Sequence, residues 1–454
     1  MNSDKMQFYN TLTRQKESFS PLNKKEVLFY SCGPTVYNYP HIGNYRAYIF
    51  ADTLKRVLLY GGYKVKHVMN ITDIDDKTIR DAQKESKSLK EFTEFYTEEF
   101  YKDIESLNII KPKKFTKATD YIDEMVDVIQ KLIKNGLAYK SEDGSVYFNI
   151  KKFPNYGKLS HLVIENQKEN ASGRITKDEY GKDDVHDFAL WKAWDEKDGD
   201  VFWETELGKG RPGWHIECSA MSMATLGEQI DIHTGGVDNI FPHHDNEIAQ
   251  SEGATGVPFV KYWMHNEWVL VDQKKMAKSA KNFYTLRDLI DADIDPLAYR
   301  FWLLMANYRT RVNFVWEALE GAETALKRVY NLYNELGTNV GKVNEEYKKK
   351  FKAFINDDLD TPRALVVLWD VFKDENISNA DKKATVLDFD KVLGLGFDNI
   401  KEEKIPEKIK LLILEREKAR VDKDFQKSDE LRKEINSLGY EVKDTAGGQK
   451  ISKI

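Results

Sequence analysis

Cysteine is scarce in this chain: two residues, Cys32 and Cys218, among 454. Two thiols in so long a chain argue against a disulfide framework. A bridge between them would be the ordinary reading only in an oxidising compartment. A charge excess is lacking too. Lys and Arg number 69 against 75 Asp and Glu, for a formal net charge of −6. No global basic field is therefore present, and a nucleic-acid partner would have to be held by local patches and shape. No apolar run approaches the roughly 20 residues that cross a bilayer. The opening Met1-Asn2-Ser3-Asp4-Lys5 has no apolar signal core. These absences point to a reduced, cytoplasmic protein with no membrane partner. The chain does have a hydrophobic fraction of 41%, which supports sizeable cores, and a length that suits two to four domains.

The chain is organised around residues 30–46, Y-S-C-G-P-T-V-Y-N-Y-P-H-I-G-N-Y-R. The apolar run Val27-Leu28-Phe29-Tyr30 leads in and reads as a buried parallel strand. Gly33-Pro34 breaks it. Ala47, Phe50, Ala51, Leu54 and Leu58 then recur at helical spacing until Gly61-Gly62. Strand, loop and helix in this order open a doubly wound α/β fold, in which ligands bind beyond the carboxyl ends of the strands. Helix N-termini there favour phosphate, because free N–H groups and the dipole point at the anion. His41 and Asn44 lie one turn apart near that N-terminus and can reach one phosphate. Gly43 allows the ligand close approach, and Cys32 sits upstream in the same loop. Taken alone, His41-Ile42-Gly43-Asn44 is a weak signal, and a His before a helix is more often a cap or a satisfied residue.

Residues 65–69 read as the second strand, running into Asn70-Ile71-Thr72-Asp73-Ile74-Asp75-Asp76-Lys77. The three carboxylates there suit a capping turn better than a hard-metal site. Ile122, Met125, Val126, Ile129, Leu132 and Ile133 form an apolar helical stripe that Asn135-Gly136 stops. A short strand is expected over 146–150. Polar, loop-rich sequence follows to Asp187, so residues from about 115 to 200 read as an insertion splitting the sheet.

Beyond it, Ile230-Asp231-Ile232-His233 is a further strand, followed by Phe241-Pro242-His243-His244-Asp245-Asn246-Glu247. If a helix starts after Pro242, His243 and Glu247 share one face and can chelate one ion. A set drawn from Cys32, Cys218, His243 and Glu247 suits zinc. Each also has an ordinary alternative: a buried thiol, a capping imidazole, an exposed carboxylate. Trp268-Val269-Leu270-Val271 is another apolar strand. The basic run Lys274-Lys275-Met276-Ala277-Lys278-Ser279-Ala280-Lys281 after it is either a solvated loop or a lysine clamp on a triphosphate. Helical spacing over 297–306, 319–333 and 364–372 gives a bundle, and residues 401–454 form a separate unit with a charged helix or helix pair ahead of a strand and turn.

Read together, these motifs resemble class I aminoacyl-tRNA synthetases. His41-Ile42-Gly43-Asn44 is similar to the HIGH motif, with Asn44 for the second His. Lys275-Met276-Ala277-Lys278-Ser279 is similar to KMSKS, with Ala277 for the first Ser. Cys32-Gly33-Pro34-Thr35-Val36-Tyr37 and the residue 70–77 segment resemble cysteinyl-tRNA synthetases in particular. The resemblance implies a Rossmann-like parallel sheet split by an insertion, then an α-helical bundle and a small C-terminal α+β unit that binds the anticodon. It implies cysteine activation by ATP with Mg²⁺ and transfer to tRNA(Cys). It implies one zinc per chain on Cys32, Cys218, His243 and Glu247, with Thr72, Trp214 and His233 lining the cysteine pocket. His41, Asn44, Lys275 and Lys278 would carry the catalysis, with Gly43 against the nucleotide. Expected boundaries are 1–115 and 201–265 for the halves of the catalytic core, 116–200 for the insertion and 266–309 for the KMSKS-like and stem-contact region. The bundle would span 310–400 and the anticodon unit 401–454. A monomer is expected. The rivals are a cysteine:amino-sugar ligase sharing the adenylating core, and a non-catalytic tRNA-binding paralogue.

Overall fold

The computed structural model describes residues 5–24, 26–162, 187–276, 282–400, 406–445 and 448–453. The chain divides into two compact units, Met1–Asp398 and Asn399–Ile454.

The first unit is built on five parallel strands: β1 (Glu26–Ser31), β2 (Lys64–Ile71), β3 (Lys114–Lys117), β4 (Ile230–Gly236) and β5 (Val260–Asn266). Their order is β5-β4-β1-β2-β3. The sheet grows one way from β1 through β2 to β3, and the other way through β4 to β5. The switch point therefore lies between β1 and β4, where Phe29, Tyr30 and Ser31 pair with Ile232, His233 and Thr234. The second strand is longer than the apolar run 65–69 suggests, because parallel pairing with β1 adds Lys64 at its start and pairing with β3 adds Asn70 and Ile71 at its end.

Helix α1 (Ile42–Tyr60) follows β1. Ile49, Phe50, Leu54, Val57 and Leu58 are buried along it, and Gly62 leaves it at φ +87°, a conformation open to glycine. Asp52, on the same helix, is buried between Arg56 Nε at 2.8 Å and Arg300 Nη2 at 2.6 Å. Burial alone would raise the Asp52 carboxyl. Arg300, Arg56 and the Ile110 N–H outweigh it and hold the group below the usual carboxylate value.

Between β3 and β4 the chain forms a separate antiparallel sheet of Ala138–Lys140, Val146–Phe148, Phe188–Ala193, Gly208–Pro212 and Trp203–Thr205, in that spatial order. The strand expected over 146–150 stops at Phe148 and turns into a short 3₁₀ segment, Ile150–Lys152. Helix Ile122–Lys134 packs its stripe of Met125, Ile129 and Leu132 against Phe148, Leu190 and Trp191. Helix α2 (Trp214–Leu226) returns the chain to β4, and helix α3 (Asp245–Thr255) joins β4 to β5.

A small sheet comes next. Val269–Val271 pairs in parallel with Val312–Phe314 and antiparallel with Lys274–Lys275. The helices Pro296–Leu304, Trp316–Glu335, Glu345–Ile355, Thr361–Lys373 and Asn379–Leu393 follow as a bundle. Leu319, Ala322, Leu326, Val329 and Tyr333 are the buried stripe of the longest of these.

The second unit pairs helices Glu407–Val421 and Phe425–Ser437 with the hairpin Tyr440–Thr445 and Gly448–Lys453. Ile409, Leu412, Leu431, Ile435 and Val442 form its core. Arg416 is buried and forks onto Asp444 at 2.9 and 3.0 Å. No helix among the described residues is long and apolar enough to cross a membrane.

Candidate functional site

Cys32 leaves the end of β1, its N–H bonded to Thr234 O of β4 at 3.0 Å. Gly33 follows it, and a Cβ there would meet Asn70 O at 1.8 Å. Only glycine lets the loop lie so close to the end of β2. Cys218 is on the buried face of α2, which Trp214 begins. His243 stands in the turn before α3 and Glu247 in its first turn, so their i,i+4 spacing brings His243 Nε2 to 3.2 Å from Glu247 Oε1. The ligand atoms of Cys32, Cys218, His243 and Glu247 all lie within 4.8 Å of one another. The four residues singled out in the sequence are thus brought together.

An overlapping group draws in His233 and His244 with Cys32 and Glu247. His233 Nε2 lies 2.9 Å from Glu247 Oε2, and Trp214 stacks on His243 with ring centroids 4.3 Å apart. Thr72 is buried at the end of β2, and its hydroxyl donates to Glu217 Oε2 at 2.9 Å. Behind the cluster a chain of bonds runs from Cys32 Sγ to His244 Nε2 (3.3 Å), from His244 Nδ1 to His265 Nε2 (2.7 Å), and from His265 Nδ1 to Thr11 Oγ1 (2.8 Å).

The donor chemistry fits zinc: two sulfurs, an imidazole and a carboxylate, at short range and largely buried. Glu247 Oε1 makes no hydrogen bond among the described residues, as expected of an oxygen aimed at a ligand site. The Cys218 thiol bonds to Cys32 and draws the Cys32 thiol down to about 6, while the same bond and burial push Cys218 well up. Burial disfavours the charged form of His244 and His215, and holds His265 down at about 3. His233 is the exception. Burial would lower it, but the Glu247 carboxylate more than compensates and raises it.

The phosphate side of the site is the N-terminus of α1. His41 N–H donates to Asn44 Oδ1 at 3.0 Å, and Asn44 N–H donates to His41 Nδ1 at 3.2 Å, forming a reciprocal cap. With Nδ1 accepting, the proton of the neutral His41 ring is on Nε2. Gly43 sits close under this end of the helix: a Cβ there would come within 2.6 Å of Met276 Cε, the far end of a flexible side chain, and 3.0 Å of the His41 ring. Ile42 N–H donates to Tyr284 O at 2.8 Å, and the His41 ring meets Phe283 edge-on. Both shoulders of the KMSKS-like loop therefore abut the start of α1. Lys278 itself, with Ala277 and Ser279, lies outside the described residues, and Lys275 is placed by its backbone pairing with Leu270. A cleft of about 150 Å³ at the switch point is lined by Cys32, His41, Asn44, Gly236, Asp238 and Trp268, among others.

Residues 18–324 match the family described as tRNA synthetases class I (C) catalytic domain. Residues 402–451 match the cysteinyl-tRNA ligase anticodon binding domain. The chain is 47% identical to a cysteine–tRNA ligase of Brachyspira hyodysenteriae over 98% of both chains. The chain belongs to the cysteine–tRNA ligase family. A second member, from Chlamydia muridarum, is 46% identical over 98% of this chain and 99% of its own. Solved class I structures share the fold at low identity. Methionyl-tRNA synthetase of Mycobacterium tuberculosis, in complex with methionyl-adenylate, gives a TM-score of 0.57 at 13% identity, covering 82% of this chain and 90% of that one. A LeuRS–tRNA–LeuAMS ternary complex from Agrobacterium radiobacter K84 gives 0.59 at 10%, covering 85% of each.

For a cysteine–tRNA ligase, sequence reasoning reached the residues that carry motifs and missed those that support them. His215, His244 and His265 gather round the candidate metal ligands, with His215 Nδ1 2.9 Å from His243 Nδ1. A signal was present: five of the nine histidines fall between residues 215 and 265. Asp238 and Trp268, joined by a 3.2 Å bond from Trp268 Nε1 to Asp238 Oδ1, line the cleft. The pair Gly235-Gly236 at the end of β4, beside the switch point, marked that place in the sequence.

Proposed function

We propose that the cleft between β1 and β4 activates L-cysteine with ATP and that the chain then passes the cysteinyl group to tRNA(Cys). The observation that carries this reading is the meeting of a Cys–Cys–His–Glu cluster and a phosphate-type helix N-terminus at one switch point. The cysteine carboxylate attacks the α-phosphorus of ATP, and the bond to pyrophosphate breaks. His41 Nε2–H and the Asn44 amide, at the positive end of α1, stabilise the charge that gathers on the phosphate oxygens. Lys275 and Lys278 neutralise the leaving pyrophosphate, with Mg²⁺ accompanying the nucleotide. A terminal ribose hydroxyl of the tRNA then attacks the carbonyl carbon, and AMP leaves.

Cys32, Cys218, His243 and Glu247 would hold zinc, one per chain. Zinc bound there would supply a soft Lewis acid that takes thiolate in preference to hydroxyl, and so separates cysteine from serine where a steric pocket separates them poorly. Trp214, His233 and Thr72 border that pocket in this reading, and His233 orients Glu247. The carboxylate of Glu247 is the ligand best suited to loosen when the substrate thiol arrives.

The domain scheme proposed is a catalytic core over 1–115 and 201–265, an insertion over 116–200 and a KMSKS-like and stem-contact region over 266–309. A tRNA-binding bundle over 310–400 and an anticodon unit over 401–454 complete a monomer working in the cytoplasm. In the last unit the Phe425 ring, 62% exposed, offers a base a stacking face.

The test is charging of tRNA with labelled cysteine, serine and alanine in parallel, with metal analysis of the purified protein. Label on tRNA from cysteine alone, with about one zinc per chain, is the expected outcome. Equal charging with serine would overturn metal-based selection. Cysteine-dependent ATP–pyrophosphate exchange without charging would mean a different acceptor.

A further inference from the structure

We propose that Arg46 is a positioning residue for adenylate formation, fastening the small sheet that carries Lys275 to the helix that carries His41 and Asn44. The inference rests on the nucleotide-activating reading above.

Arg46 lies two residues beyond Asn44 on α1 and is 3% exposed. A guanidinium so deep ordinarily finds a carboxylate. The hydrogen bonds of this one, among the described residues, go to backbone carbonyls instead. Nη1 donates to Trp268 O at 2.7 Å, and Nη2 donates to Asn307 O at 3.3 Å, Tyr308 O at 3.2 Å and also Thr310 O. Burial draws its pKa down to about 10, so it remains a cation at neutral pH.

The carbonyls are not scattered. Trp268 immediately precedes strand Val269–Val271, and Thr310 stands just before strand Val312–Phe314. These are the two parallel partners of the small sheet, with Val269 opposite Val312. Lys275 pairs with Leu270 on the other edge of the same sheet. A single rigid fork thus holds the starts of both parallel strands against α1, and the third strand carries the first lysine of the clamp. The contacts nearer the loop, Met276 against Gly43 and Tyr284 O on Ile42 N–H, touch only the loop's shoulders. Arg46 sets the base of the sheet, one helical turn further on.

The planarity of the group explains why arginine stands there. Five donors in a fixed plane can serve carbonyls from two segments at once, whereas a lysine ammonium is a point with three. Satisfying those carbonyls also removes a need for water at a buried junction. Displacement of a reacting group by about 1 Å can cost roughly 10²-fold in rate, so a residue that fixes the distance from Lys275 to His41 acts on the chemical step without touching substrate.

The experiment uses the full chain with Arg46→Gln and Arg46→Lys. Cysteine-dependent ATP–pyrophosphate exchange, KM for cysteine, zinc content and thermal unfolding are measured for each. Arg46→Gln should lower kcat by roughly 10- to 100-fold, with zinc content and KM for cysteine unchanged, and Arg46→Lys should recover part of the loss. The deciding measurement is Arg46→Gln in a Lys275→Ala background. With the clamp's ammonium already gone, the second substitution should cost less than about threefold, because groups acting as a unit are non-additive. Exchange by Arg46→Gln within twofold of the parent would overturn the inference. So would an undiminished loss in the Lys275→Ala background, or a loss in both single variants that follows thermal unfolding. A parent protein with no cysteine-dependent exchange would instead sink the reading on which the inference rests, and the inference with it.

Discussion

Glu247 is approached by imidazoles on both oxygens, and His244 Nε2 lies 3.8 Å from Oε1 as well. His243 Nε2 faces Oε1 and His233 Nε2 holds Oε2 at 2.9 Å. A ligand oriented by a second bond binds its ion more tightly, and loss of such a bond typically costs 10- to 100-fold in affinity. His233→Gln should therefore weaken zinc binding by about that factor in a chelator competition, with the fold intact by circular dichroism; unchanged affinity would mean that His233 does not orient the ligand. Sequence carried some of these residues and not others, for a physical reason. His243 and Glu247 were legible because i,i+4 is a local relation that a helix converts directly into proximity. Cys32 and Cys218 have no such relation, and only the packing of α2 against β1 and β2 brings them together. His215, His244 and His265 act across the sheet, so nothing in their spacing reveals that they face one another. Asn44 read as a phosphate contact. The structure adds that it is half of a reciprocal cap that also fixes the tautomer of His41.

Among the elements, α1 depends most on one buried charge. Asp52 is held low by Arg300 and Arg56 against its own burial, and its pair with Arg300 joins α1 to helix Pro296–Leu304. Its folded-state pKa is depressed, so the stabilisation is fully present above the unfolded value of roughly 3.9. It is lost only as pH falls through the lower folded value. Asp52→Asn should cost about 3–5 kcal/mol at neutral pH, since it leaves two buried guanidiniums without their partner. Urea unfolding of the two proteins should differ by that amount at pH 7 and converge only under strongly acid conditions. Convergence already near pH 6 would show that Asp52 is not held low. Helices were the elements most legible in the sequence. The stripes over 122–132 and 319–333 are buried as their periodicity indicates, but Ile133, counted with the first, is 39% exposed at the last turn of its helix. The antiparallel sheet of the insertion was not legible beyond Val146–Phe148. Its strands are short, and Gly208-Lys209-Gly210-Arg211-Pro212 has no strand propensity of its own. Pairing of Arg211 with Lys192 makes it one, and that is a tertiary event.

At the scale of the whole molecule the chain is two compact units, Met1–Asp398 and Asn399–Ile454. The second has its own core of Ile409, Leu412, Leu431, Ile435 and Val442. A chain ending at Asp398 should keep cysteine-dependent pyrophosphate exchange near the full-length rate. It should lose roughly tenfold or more in kcat/KM for tRNA charging, equivalent to about 1.4 kcal/mol of tRNA binding. Equal losses in both assays would assign the second unit to folding instead. The doubly wound class was legible from one strand–loop–helix passage and the helical spacing after it. The order β5-β4-β1-β2-β3 was not, because it depends on which edge of β1 the returning chain takes. That order has a consequence in time. β1 ends at Ser31 and leaves the ribosome well before β4, its partner on one edge, which begins at Ile230. At about 5–20 residues per second, the intervening stretch takes roughly ten to forty seconds to synthesise. For that interval the nascent sheet has a buried-type strand with an open side, and whatever shields it in the cell must do so until the middle of the chain has emerged.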